Sequence, residues 1–357
     1  MFRSTAALAI VVFAVAAPLG ASQVGNVAVS RPFFNPSLGE HITVAFTLAE
    51  AGRVDVLIVD RDGFPVRQLA QKRSLPAGKV TLEWDGRDRS GQVVADEAWS
   101  LKIDADTASG TSTYFPADAP PPQMVSVDAD SYSPAASILR YTLPVASRVH
   151  MQAGSSAGTA HGPSTDGAVM KTIVDRAPRA AGAVIEQWNG LDESGTIRVS
   201  DQPNFVVGIA ATPLPENSII TIGDRSKTFL QMALTRRGKS LFTSHPMSHA
   251  HHVGLTALDD HSPSLRVAAG HVRGSKLPLT VSVEGPTASR FLLQHPTLFV
   301  FVDGKLLLKT PADRQSMSVS VPWHGAAGDH VVVVNWQSEF GPVAANALRI
   351  DKNGVVR

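Results

Sequence analysis

The sequence has no cysteine among its 357 residues. Disulfides, thiolate metal ligands, a thiol nucleophile and a lipid-modified cysteine anchor are therefore all excluded. Charged residues make up only 18%, too few for a long solvated or disordered tail, while 43% hydrophobic residues suffice for packed cores. The 32 basic and 31 acidic side chains nearly cancel. No basic cluster interleaved with aromatics breaks that balance, so nucleic acid is not an expected partner. Long runs of helical period are also missing. Beyond the N-terminus the apolar stretches 298–302 and 331–334 are far short of the roughly 20 residues a membrane span needs, and Asp303 and Asp329 bound them. A chain of this length accommodates two or three domains, and three are expected.

What is present begins with an address. Met1-Phe2-Arg3 precedes an apolar run over 6–17 and then Pro18-Leu19-Gly20-Ala21-Ser22. This order reads as a Sec signal peptide over residues 1–22, with cleavage after Ala21 or Ser22. The expected mature protein is exported to the periplasm or the exterior of a bacterium and keeps no membrane span.

Along the mature chain, alternating and β-branched runs such as 54–59 and 80–84 read as strands, separated by Gly, Pro, Asp and Asn. Asp60-Arg61-Asp62-Gly63 supplies a tight turn. A second copy of the same pattern follows. Trp84-Asp85-Gly86-Arg87-Asp88-Arg89-Ser90-Gly91 aligns with Trp188-Asn189-Gly190-Leu191-Asp192-Glu193-Ser194-Gly195, and Pro76-Ala77-Gly78 aligns with Ala180-Ala181-Gly182. Upstream, Asn35-Pro36 and 42–48 answer to Ser133-Pro134 and 138–143. The spacing predicts a duplicated β-sandwich in which a core Trp ends one strand and Asx residues in the following turn bond their own backbone. Such a turn could instead offer oxygen ligands to Ca²⁺, but EF-hand spacing and a closing bidentate Glu are missing, so the structural turn is preferred. A Gly/Ser/Thr-rich insertion near 154–167 reads as a hairpin tip of the second copy.

These residues carry a resemblance. Asn35, Pro36, Ile42, Leu48, Asp60, Gly63, Val66, Arg67, Leu69, Ala77, Gly78, Trp84, Asp85, Gly86, Asp88 and Gly91 resemble the Ig-like domain of the flagellar hook-cap protein. Pro134, Ile138, Leu143, Ala181, Gly182, Trp188, Gly190, Asp192 and Gly195 repeat it, without a clear Asp-x-x-Gly-x-x-Val-Arg segment. The resemblance covers a little over half of the mature chain. It implies an Ig-like fold and an interaction role, with no catalytic residues. Flagellar export does not use a Sec signal, so what it implies is the domain type and not the hook cap.

The expected organisation is all-β, three tandem β-sandwiches. The first Ig-like domain covers 23–106, a Pro-rich extended linker 107–131, the second Ig-like domain 132–222 and a third sandwich 223–357. In the last, 298–302, Asp303-Gly304 and 305–309 form a hairpin signal, and 328–336 and 344–350 read as buried strands. The linker places the two copies apart, like beads.

The C-terminal third also holds nine of the 12 histidines, five of them within 245–261. On an extended segment His249 and His251 share one face and His252 points to the other. With His261 or His271 returning nearby, neutral imidazoles could hold Zn²⁺ or Cu²⁺. The competing readings are a solvated His-rich loop and hydrogen-bonded core histidines. Gly-x-Ser-x-Gly, His-Glu-x-x-His, the Walker loop and Gly-x-Gly-x-x-Gly are all missing. A triad of distant Ser, His and Asp is left open by sequence. The expected role is a non-catalytic scaffold that contacts an envelope protein, an extracellular polymer or its own copies. The alternatives are a metal-binding protein and a hydrolase or its accessory subunit.

Overall fold

A computed structural model describes residues 22–119, 122–156, 167–224, 226–235, 261–324, 328–338, 341–353 and 356. The expected signal peptide, apart from Ser22, lies outside the described residues, as do 157–166 of the hairpin tip. Among the described residues no helix is long and apolar enough to cross a membrane. The architecture is all-β: three tandem Ig-like sandwiches.

Module 1 runs through β1 (Val24–Val29), β2 (Phe33–Phe34), β3 (Ile42–Leu48), β4 (Gly52–Val59), β5 (Pro65–Leu75), β6 (Gly78–Trp84), β7 (Ala98–Thr107) and β8 (Gly110–Tyr114). Strict alternation makes β3 a strand: Ile42, Val44, Phe46 and Leu48 are buried while Thr43, Ala45 and Thr47 face outward. One sheet has the order β1-β3-β6, and the facing sheet contains β7-β4-β5. Phe34, Trp84 and Trp99 meet edge to face between them, at centroid distances of 5.7 and 6.2 Å.

Module 2 comprises β9 (Val125–Val127), β10 (Ala129–Ser133), β11 (Ile138–Leu143), β12 (Ser147–Ser155), β13 (Val169–Arg179), β14 (Gly182–Gln187) and β15 (Phe205–Pro213). Its sheets, β10-β11-β14 and β13-β12-β15-β9, repeat the plan of module 1. Although the Asp-x-x-Gly-x-x-Val-Arg segment is missing, β12 and β13 pair as β4 and β5 do.

Three features depart from the expected organisation. The stretch read as an extended linker contributes β8 to module 1 and β9 and the start of β10 to module 2, so its two ends belong to the sandwiches. The chain then returns: β16 (Ile219–Thr221), read as part of the second domain, pairs with β7 and β2 of module 1. A seven-residue helix, Phe229–Thr235, follows where strand was expected. It buries Phe229 and Ala233, one turn apart, and its Met232 packs against the module 1 core.

Module 3 contains β17 (Ser264–Ala269), β18 (Lys276–Glu284), β19 (Thr297–Val302), β20 (Lys305–Pro311), β21 (Ser316–Pro322), β22 (Asp329–Gln337) and β23 (Val343–Asp351). The sheets β17-β18-β21 and β20-β19-β22-β23 again have the three-plus-four plan. The predicted hairpin is β19–β20, turned by Asp303 and Gly304, both at positive φ. The apolar run in β22 has a physical cause. Val332, Val334 and Trp336 fill the module 3 core, while Val333 joins a second cluster with Ala153, Ala168, Met170 and Trp188 of module 2. Both faces of β22 are buried here, so apolar residues occur consecutively and not at every second position.

Candidate functional site

The repeated Trp turn folds in the same way twice. Trp84 Nε1 donates to the Arg87 carbonyl at 3.0 Å, and Trp188 Nε1 to the Leu191 carbonyl at 2.9 Å. Asp85 Oδ1 accepts from Arg87 N, as Asn189 Oδ1 does from Leu191 N. Asp88 Oδ1 accepts from Ser90 N and Gln92 N. Asp192 does the same for Ser194 N, Thr196 N and Ile197 N. Gly86, Gly91, Gly190 and Gly195 all sit at φ between 68° and 80°. A Cβ on Gly86 would approach Pro36 Cβ to 2.3 Å, and one on Gly190 would approach Tyr132 Oη to 2.5 Å. The aspartates are thus engaged by their own backbone amides, as Asx turns require. Among the described residues no group of three His, Cys, Asp or Glu is arranged to hold a metal ion.

Sequence comparison missed a third occurrence of the Trp anchor. Trp323 follows β21 as Trp84 ends β6 and Trp188 follows β14, and it too donates Nε1 to a carbonyl, that of Lys352 at 3.0 Å. The legible signal was Trp323-His324-Gly325, which keeps the Trp-x-Gly spacing without the acidic turn.

Of the proposed metal ligands, His249, His251 and His252 lie outside the described residues. The other two are not brought together. His261 precedes β17 and His271 follows it, exposed, so a strand of roughly 20 Å separates them. That is too far for one ion.

His261 instead contacts module 2. Its Nδ1 stands 3.0 Å from Asp175 Oδ2, while His150 Nδ1 faces Oδ1 at 3.4 Å and the Arg176 guanidinium binds Oδ1 at 3.1 Å. A register shift between Val149 and Met151 creates this site by bulging β13, with Arg176 at φ 50°. Module 1 has the same bulge: Lys72, at φ 41°, takes the place of Arg176, and its backbone amide donates to Asp55 on β4, which stands where His150 stands on β12. Burial alone would raise the pKa of Asp175. The two imidazoles and Arg176 outweigh it and hold the carboxyl well below the usual carboxylate range. A cleft of about 390 Å³ opens beside it between modules 2 and 3, lined by Thr172, Asp175, Glu193, Ser262 and Asn346 among others. The arrangement has the acid and base of a triad. Among the described residues, however, no hydroxyl is hydrogen-bonded to His261 Nε2.

The junction of modules 1 and 2 is also built from specific contacts. Arg148 pairs with Glu97, whose side chain is 4% exposed, and donates to the Ala98 carbonyl. A cleft of about 610 Å³ adjoins it, walled by Tyr114, Phe115, Pro116, Pro213 and Leu214.

No family model and no curated protein matches the chain. Among solved structures, the tetra-tandem repeat in the extending region of a large adhesion protein is 14% identical, covers 94% of this chain and 75% of its own, and has a TM-score of 0.20. A Ca²⁺-stabilised adhesin with which an Antarctic bacterium binds ice is 12% identical, with coverage of 93% and 74% and a TM-score of 0.19. The fibronectin(III)-like modules of Clostridium thermocellum CbhA are 10% identical, with coverage of 91% and 93% and a TM-score of 0.19. Such scores carry no argument about role. The strand pairing itself makes the chain a tandem of Ig-like sandwiches.

Proposed function

We propose that the chain is an exported, non-catalytic scaffold of the bacterial envelope, built from Ig-like modules of the hook-cap type, that presents loops and sheet edges to an envelope protein or extracellular polymer. The observation that carries this reading is the construction of the junctions. Val333 and Ala347 of module 3 share a buried cluster with Trp188 and Ile197 of module 2, and Glu97 of module 1 is buried against Arg148 of module 2. Junctions packed like domain cores hold modules in fixed relation, which is what a scaffold needs and a flexible string does not supply. The Asx carboxylates of the Trp turns serve their own backbone, which favours a structural over a chemical role for the most recognisable motif.

The absence of cysteine provides the test. Leu38, Ile185 and Leu293 are exposed, one on each module, and each replaced by Cys gives the only thiol in the chain. Thiol-reactive crosslinking in intact cells should join at least one of these positions to an envelope component, and N-terminal sequencing should find the mature chain beginning at residue 22 or 23. A chain found uncleaved in the cytoplasm, or crosslinked from none of the three positions, would remove the reading.

A further inference from the structure

The strand that completes module 1 arrives only after the whole of module 2. β16 inserts between β2 and β7, parallel to the first at Phe33↔Ile220 and Phe34↔Thr221 and antiparallel to the second at Ile219↔Trp99. Ile220 N donates to the Pro32 carbonyl at 2.9 Å, Ile222 N to the Phe34 carbonyl at 3.1 Å and Thr221 N to the Glu97 carbonyl at 2.9 Å. The Thr221 hydroxyl accepts from Trp99 Nε1 at 2.8 Å and donates to the Ala95 carbonyl at 2.7 Å. On either side, Asn217 Nδ2 donates to the Val27 carbonyl, and Asp96 accepts from Gly223 N and Asp224 N. Ile219 is fully buried in the module 1 core. The exit path stays on module 1: Lys227 Nζ donates to the Val93 carbonyl, and the Arg61 guanidinium lies 4.7 Å from the Phe229 ring centroid.

We infer that module 2 is an insertion within module 1, and that β16 is a clasp which shields module 2 from tension along the chain. The ends of module 2 make this possible. Val125 at its start pairs with Ala211 near its end, so once folded it returns the chain to the point of departure, and a closure of roughly 90 residues becomes a short one. The clasp follows from strand direction. A pull on the chain before Val24 and beyond Thr235 acts on β2 and β16 in opposite senses. Because these strands run parallel, such a pull slides one along the other and loads the bonds on both sides of β16 together. The load path from β1 and β2 to β16 lies entirely in module 1. Module 2 hangs between β8 and β16, and it feels tension only after β16 has left its slot.

This inference does not depend on the envelope role. Its test uses the chain from Ser22 to Arg357, with Ser22→Cys and Thr235→Cys as the only two attachment points for single-molecule stretching. Module 1 should extend first and module 2 second in every trace, the second step lengthening the tether by roughly 300 Å for roughly 90 residues. Ile219→Ala, which removes a core side chain of the clasp, should lower the force of the first step and leave that of the second unchanged. If that variant does not fold, the order of steps in the otherwise unsubstituted chain still decides. Extension of module 2 before module 1, or the two in random order, would overturn the inference.

Discussion

Asn335 of β22 completes the hydrogen bonding of Val169, 166 positions earlier on β13: its Oδ1 accepts from Val169 N at 2.8 Å and its Nδ2 donates to the Val169 carbonyl at 2.6 Å. One side-chain amide thus does between modules 2 and 3 what a neighbouring strand does within a sheet. It is buried, where an unmet backbone group is costly. Asn335→Leu should leave both groups of Val169 unpaired, at about 2–4 kcal/mol. Calorimetry should then show modules 2 and 3 unfolding in separate transitions in place of one. A single transition at the unsubstituted temperature would show that the amide does not couple them.

The paired glycines of the Trp turn separate two costs. Gly91 has φ 80° with nothing within 4 Å of an added Cβ, so Gly91→Ala should cost only the left-handed penalty of about 1–2 kcal/mol. Gly86 adds the collision with Pro36, and Gly86→Ala should cost clearly more, with the urea midpoint falling in that order. Equal losses would mean that Pro36 can move aside.

Asp175 sets a pH dependence. Its carboxyl is held below the ordinary range in the fold, so the native state resists protonation that the unfolded chain accepts. The stabilisation is therefore complete above about pH 5 and declines as the pH falls through and below the ordinary carboxylate range. Asp175→Asn should lower stability at neutral pH and flatten the decline between about pH 5 and 3, as read from denaturant midpoints. A variant as steeply acid-sensitive as the original would place the dependence in other carboxylates.

The Glu97–Arg148 pair should behave as a buried ion pair. Arg148→Ala leaves the Glu97 carboxylate buried without its cation and should cost about 3–5 kcal/mol, while Glu97→Leu combined with Arg148→Met should recover much of that loss. Failure of the double variant to exceed the single one in thermal stability would show that the charges do more than compensate each other.

Legibility in this chain follows the range of the interactions. The Trp turns were readable because Trp84, Asp85, Asp88, Gly86 and Gly91 find most of their partners within ten residues, and the second copy repeats them. The hairpin at Asp303-Gly304 was readable for the same reason. The histidines were not. His261 owes its place to Asp175, 86 positions away on a bulge that only a register shift creates, and neither residue type predicts the other. The third Trp anchor escaped because its acidic turn is missing while its place in the sandwich is kept.

By itself, then, the sequence determined the strands, the turns between them and the existence of two like sandwiches, since alternation and Asx-Gly chemistry act locally. The tertiary structure alone decided that Ile219–Thr221 belongs to module 1, that Asn335 bonds Val169 and that Val333 faces a neighbouring module. The reason is that a strand edge or apolar face will accept any complementary partner. Which partner it meets depends on how distant segments are brought together, and no local pattern encodes that.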